Sequence, residues 1–190
     1  MSFSFIQNNM SGKVEITPKM KFIAILVGLA ALSRLIPHEL NFTPIGAIAL
    51  FAGAYIKDKK LAFTLPLITL LLSDILLQLI NGTGFYRDMI FVYGSFGLVV
   101  ALGFYLRGRE NSQTIVVASL ISSIVFFLIS NFGTWLMYDM YPKTGAGLMS
   151  AYVAGIPFFR GTFIGDLFYC ILLFGSYAVA KWRFPAMVRN

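Results

Sequence analysis

The stretch "SRLIPHELNFTPIGAIALFAG", Ser33 to Gly53, decides how the chain is read. It gathers a cation, the chain's single histidine, a glutamate, an asparagine and two prolines. Apolar runs lie on both sides. The run before it, Met20 to Ile36, begins beside Lys19 and Lys21 and stops at Pro37. The run it opens, Thr43 to Ile56, is short against the roughly 20 residues of a spanning helix. It carries Gly46, Ala47, Ala49, Ala52, Gly53 and Ala54, small residues that let helices pack closely. A polar turn between two such segments predicts two membrane-embedded helices joined on the outer side.

The whole chain agrees. Of its 190 residues 58% are hydrophobic and 12% charged, whereas a soluble domain is about half apolar and about a quarter charged. Four more apolar runs follow, Leu61–Ile80, Asp88–Leu106, Thr114–Met137 and Gly161–Ala180. Between the last two, Asp139–Arg160 is too hydrophobic to float in water. Its segment "TGAGLMSAYVAGIPFF" predicts a short or re-entrant helix packed over the bundle. The expected fold is all-α: a polytopic six-helix transmembrane bundle over residues 19–183, flanked by tails 1–18 and 184–190. The end of the first run, "AALSRLIPHEL", makes a poor cleavage site because Arg34 and Pro37 follow its small residues at once, so that run is read as a retained helix.

Charge sets the orientation. Eleven of the fifteen lysines and arginines fall on one face, in the tails, at the adjoining ends of the first and last runs (Lys19, Lys21, Lys181, Arg183) and in "KDKK" and "RGRE"; Arg34, Arg87, Lys143 and Arg160 fall on the other. Both termini are therefore expected in the cytoplasm. The net charge of +7 does not point to nucleic acid, because the cations lie between apolar runs rather than on a soluble readout face. A lone Cys170 excludes an internal disulfide and a multi-cysteine metal site, and reads as a small core residue.

The polar exceptions are the candidate binding residues. Asp74 stands in "LLLSDILLQL" and Asp166 in "RGTFIGDLFYC". A carboxylate among leucines is costly and should face the bundle interior. Each fits two roles, contact with a ligand or ion, or pairing with another span; Arg34, Arg160 or a hydroxyl would serve Asp74. Arg34 and His38 flank a helix end, where snorkelling and solvation are the plainer roles. Asn41 and Thr43 precede Pro44, an arrangement that starts a helix and leaves N–H groups able to hold an anion. Asn131, Trp135 and Tyr138 share one helix face, as a stacking wall or as an interfacial belt. No HExxH, GxSxG, P-loop or CxxC occurs, so no enzyme, metal or cofactor is expected. The GxGD pattern of intramembrane aspartyl proteases would need glycine where Phe163 stands.

"NFTPIGAIALFAGAYIKDKKLAF", "LLLSDILL", "SNFGTWL" and "MYPKTGAGLMSAYVAGIPFFRGTFIGDLFY" resemble a bacterial membrane family of unknown function. That family, and the size and topology of this chain, are similar to the S components of energy-coupling-factor (ECF) transporters. The resemblance covers about Lys21 to Lys181. It implies a substrate-binding subunit in the inner membrane that takes a vitamin-like micronutrient from the outer side. It also implies docking on a membrane scaffold with two cytoplasmic ATPases. S components dock through an AxxxA pattern on the first helix, nearest here to Ala24-x-x-x-Gly28, with Ala31 close by. Metal-type members use an N-terminal histidine this chain lacks, so a metal substrate is not expected. Two rival readings stand beside this one. The first is a self-sufficient facilitator or proton-coupled carrier using Asp74 and Asp166; the second is a structural membrane protein without a ligand. A reporter fused after Asn190 is expected to read cytoplasmic and one inserted near Gly82 external; the opposite pair overturns this orientation.

Overall fold

The computed structural model describes residues 17–35 and 41–185. Among these the chain forms six helices and no strand: α1 Pro18–Leu32, α2 Ile45–Tyr55, α3 Lys59–Asn81, α4 Met89–Tyr105, α5 Ser112–Met137 and α6 Gly145–Arg183. A 3-10 turn, Ser33–Leu35, continues α1. His38 and Pro37 lie outside the described residues, as do most of the two predicted tails.

Local chemistry sets the ends. Thr17 accepts a hydrogen bond from the Met20 amide and Pro18 opens α1. Asp58 caps α3 the same way, and Gly82, at a left-handed φ of 70°, closes it. Asn111 and Thr114 form a reciprocal capping box at α5. Thr144 caps α6.

α2 is the centre. Every residue from Ile45 to Ala54 is buried, as expected of a helix that is apolar on all sides. Its largest interface is with α4, and α1, α3, α5 and α6 also touch it. Glycines permit the approach. A Cβ on Gly53 would lie 2.8 Å from the Gly103 Cα, and one on Gly103 would lie 2.9 Å from the Gly53 Cα. Arg107 then reaches the end of α2: Nε donates to the Gly53 carbonyl at 2.9 Å and Nη2 to the Ile56 carbonyl at 2.6 Å.

The connection between α5 and α6 departs from expectation. No short or re-entrant helix precedes a separate last span. Gly145–Arg183 is one continuous helix of 39 residues, about 58 Å long. The reason is its buried face. Gly147, Ala151 and Gly155 recur every four residues on that face, and α6 packs extensively on α5. Pro157 is exposed within the same helix. Three helices, α3, α5 and α6, are long and apolar enough to cross a membrane, and α2 and α4 are shorter apolar helices. Leucine and isoleucine cover outward faces, with Leu79 77% and Ile90 73% exposed. Such apolar faces suggest a membrane protein.

The glycine crossing makes a test with two signs. Gly103→Ala is expected to destabilise the purified protein by about 1–3 kcal/mol, because the added methyl meets backbone. Gly94 lies on the same helix with nothing within 4 Å of its would-be Cβ. Gly94→Ala should be neutral or stabilising by up to about 1 kcal/mol, through helix propensity. Thermal unfolding of both variants checks the pair; equal shifts would contradict the crossing.

Candidate functional site

A cavity of about 550 Å³ opens at the end of the bundle that carries the α1–α2 turn. Its apolar wall is aromatic: Phe96 from α4, Phe126 and Phe127 from α5, Phe158 and Phe159 from α6. Phe96 stacks on Phe126 with centroids 5.2 Å apart, and Phe127 meets Phe159 edge-on at 5.4 Å. Of the residues expected to form a site, Arg34, Asn41, Asn131 and Asp166 reach this cavity.

Residues 41–44, just before α2, are held tightly. Asn41 has a φ of 61°, the one positive φ outside glycine among the described residues, and asparagine tolerates that conformation better than most. The Thr43 amide donates to the Asn41 carbonyl at 3.0 Å. On α6, Gly165 lets this turn approach, since a Cβ there would sit 3.1 Å from Phe42 Cα and Thr43 N. Beside it the Asp166 carboxylate lies against Gly46, where any Cβ would collide with it. Pro44 supplies no side-chain cap to α2. The carboxylate therefore sits at the N-terminal end of α2, where the helix dipole favours negative charge. The α2 start read as a possible anion site thus has the chain's own carboxylate packed beside it.

Asp166 is 3% exposed. Its Oδ2 accepts from Ser123 Oγ at 2.8 Å. The nearby Ser119 and Ser122 hydroxyls are buried without a partner among the described residues.

Asp74 behaves differently. It is fully buried and does not line the cavity. Arg34 Nη1 donates to Asp74 Oδ1 at 2.5 Å and to Ser73 Oγ at 2.5 Å, and Tyr93 OH donates to Asp74 Oδ2 at 2.8 Å. This is the one ion pair among the described residues. Arg34 thus shows a face to the cavity while its charge is matched from behind.

Trp135, Tyr138 and Arg160 do not line the wall. Trp135 Nε1 donates to the Pro142 carbonyl at 2.9 Å, and Lys143 donates to the Trp135 and Tyr138 carbonyls. These contacts fasten the α5–α6 connection. Tyr138 OH donates to Asp88 Oδ1 at 3.2 Å and accepts from the Arg87 amide at 3.1 Å. Arg160 is exposed on α6. On α1, Ala24 and Gly28 are exposed, and a Cβ on Gly28 would meet nothing within 4 Å; Ala31 is half-buried against the core.

Sequence reading missed several wall residues. Asp88 is buried at the cavity edge and also accepts from Thr134 Oγ1 at 2.9 Å. An acidic residue at a helix start reads first as a terminus signal, so nothing marked it as part of a site. Thr162 stands one turn before Asp166 on α6, a spacing that the sequence did offer. Tyr86, in the α3–α4 connection, also lines the cavity; burial first, and then the Asp74 charge, push its phenol above the ordinary tyrosine range, so it stays a neutral donor. No group of three or more His, Cys, Asp or Glu that could hold a metal occurs among the described residues.

Residues 14–187 match a family of unknown function, DUF6580. The chain belongs to that family. Neither a curated protein nor a solved structure is matched.

The geometry separates the two membrane-type aspartates. Asp74→Asn or Arg34→Ala alone leaves one buried charge uncompensated and should lower stability by about 3–5 kcal/mol. The joint change Arg34→Ala with Asp74→Asn should cost clearly less than the sum of the two losses. Thermal unfolding of the four proteins measures the coupling; simple additivity would overturn the pairing.

Proposed function

We propose that the chain is a membrane-embedded binding subunit for uptake of a small organic molecule, taken from the outer side. One observation carries the reading: a cavity of about 550 Å³ with aromatic walls and a few fixed polar groups. Sites for small molecules have this character and fall in roughly the 300–1,000 Å³ range. Three helices of spanning length and outward apolar faces support the membrane setting. The cations of the connection after α2 and of Arg107 lie at the end opposite the cavity, in keeping with a cytoplasmic end. α6, at about 58 Å, exceeds the roughly 30 Å hydrocarbon core, so its first turns would stand outside the bilayer beside the cavity mouth.

The resemblance to ECF S components supplies the finer reading. The ligand would be a vitamin-like micronutrient, and a membrane scaffold with two ATPases would energise uptake across a bacterial inner membrane. Exposed Ala24 and Gly28 on α1 suit a closely approaching partner helix. A self-sufficient carrier is the second reading, and Asp166 favours it as a buried carboxylate able to exchange a proton or cation.

Filling the cavity tests binding. Ala154 lines it and is exposed, so Ala154→Trp can block it without breaking the core. Wild-type protein purified from cells should carry a small molecule, detected by mass spectrometry, that the variant lacks at an unchanged unfolding temperature. Equal content in both would reject the site. Transport by wild-type protein alone in liposomes would favour the carrier.

A further inference from the structure

The wall of the cavity is unbalanced in charge. Arg34 is its one cation among the described residues, and Asp74 and Ser73 already engage it from behind at 2.5 Å. Asp88 and Asp166 also reach the wall, and neither has a basic partner among the described residues. Asp88 is held by the Thr134 and Tyr138 hydroxyls, and Asp166 by Ser123 and the start of α2. Hydroxyl bonds and a helix dipole offset a buried carboxylate only in part. Cancelling Arg34 against Asp74 leaves two carboxylates facing an aromatic wall.

We propose that the cavity selects an organic cation, an ammonium or a charged nitrogen heterocycle with an apolar or aromatic body. This rests on the cavity being the binding site and names the chemistry it takes. The charged nitrogen lies at Asp166, between α2 and α6. The body lies along Phe127 and Phe159, whose ring faces attract a cation as well as an apolar surface. An anionic ligand would meet the opposite conditions. The helix end best able to receive it already has Asp166 packed beside it, and Arg34 is already paired. Discrimination follows from charge rather than shape, since an anion of equal size would add a third negative group beside Asp88 and Asp166.

The test uses three probes of one ring size: benzyltrimethylammonium, benzoate and benzyl alcohol. Each is titrated into the detergent-purified full chain by calorimetry. The ammonium should bind at least about tenfold more tightly than either of the others. Asp166→Asn, which keeps the side-chain shape, should remove most of that preference while benzyl alcohol binding stays within about threefold. The wild-type ranking stands as evidence even if that variant misfolds. Ala154→Trp separates the location of the site from the class of its ligand. If benzoate or benzyl alcohol binds as tightly as the ammonium, and Ala154→Trp abolishes it, the cavity is the site and the cation class is wrong. If no probe binds, or Ala154→Trp leaves binding intact, the cavity reading falls together with this proposal.

Discussion

α2 is buried from Ile45 to Ala54, so the polar groups at its ends must be satisfied from within the chain. At the C-terminal end Arg107 does this, with two donors on the Gly53 and Ile56 carbonyls and its guanidinium 4.5 Å over the Phe104 ring. At the N-terminal end the capping residue is Pro44, which offers no side-chain acceptor, and the Asp166 carboxylate lies against Gly46 instead. A cation at the carbonyl end and an anion at the amide end both follow the helix dipole. Much else depends on this arrangement. Gly53 and Gly103 set how close α4 comes, and Gly46 and Gly165 set how close α6 comes. The cavity lies beside this contact, lined by Asn41, Thr43 and Ile45 on one side and Thr162 and Asp166 on the other.

Three aspartates in similar apolar surroundings end in different environments. Asp74 has a guanidinium, and a phenol donates to its other oxygen. It is satisfied inside the protein and shows nothing to the cavity. Asp88 and Asp166 are held by neutral hydroxyls and line the cavity. In a low-dielectric interior the difference between a charged and a neutral partner decides whether a carboxylate still attracts a ligand. Burial alone does not separate them, because Asp74 and Asp166 are 0% and 3% exposed.

The sequence made the unusual residues visible but not their pairings. Asp74, Asp166 and Asn131 stand out because a polar group among leucines needs a reason. The short, small-residue run after Pro44 was legible as a closely packed helix for the same kind of reason. Pairing is set through space. Counting along the chain cannot say that Arg34 meets Asp74 rather than Asp166, or that Trp135 and Tyr138, the latter just past the end of α5, hold the next connection instead of the wall. The continuity of α6 was hidden by its composition. Gly145, Gly147, Gly155 and Pro157 punctuate a loop by local rules. Tertiary packing outweighed them, since Gly147 admits the Pro142 backbone of the preceding connection and Gly155 admits Asn131 of α5.

The same stripe explains why a cavity exists. Protein interiors are close-packed, and volume is left only where side chains are too small to fill it. On α6 the residues facing the aromatic rings of α5 include Ala151, Ala154 and Gly155. Gly155 abuts Asn131, whose Nδ2 is tied to the Phe127 carbonyl at 2.8 Å, so this contact is tight and fixed. One turn later α6 turns large and polar together, with Phe158, Phe159, Thr162 and Asp166. The helix therefore packs closely on α5 through its small residues and keeps its aromatic and acidic groups for the space beside them. Leucines at those small positions would fill the cavity with apolar volume. They would also drive α5 and α6 apart, because backbone approach there leaves no room for a branched side chain. Packing and cavity are thus produced by the same choice of alanine and glycine on one face of one helix.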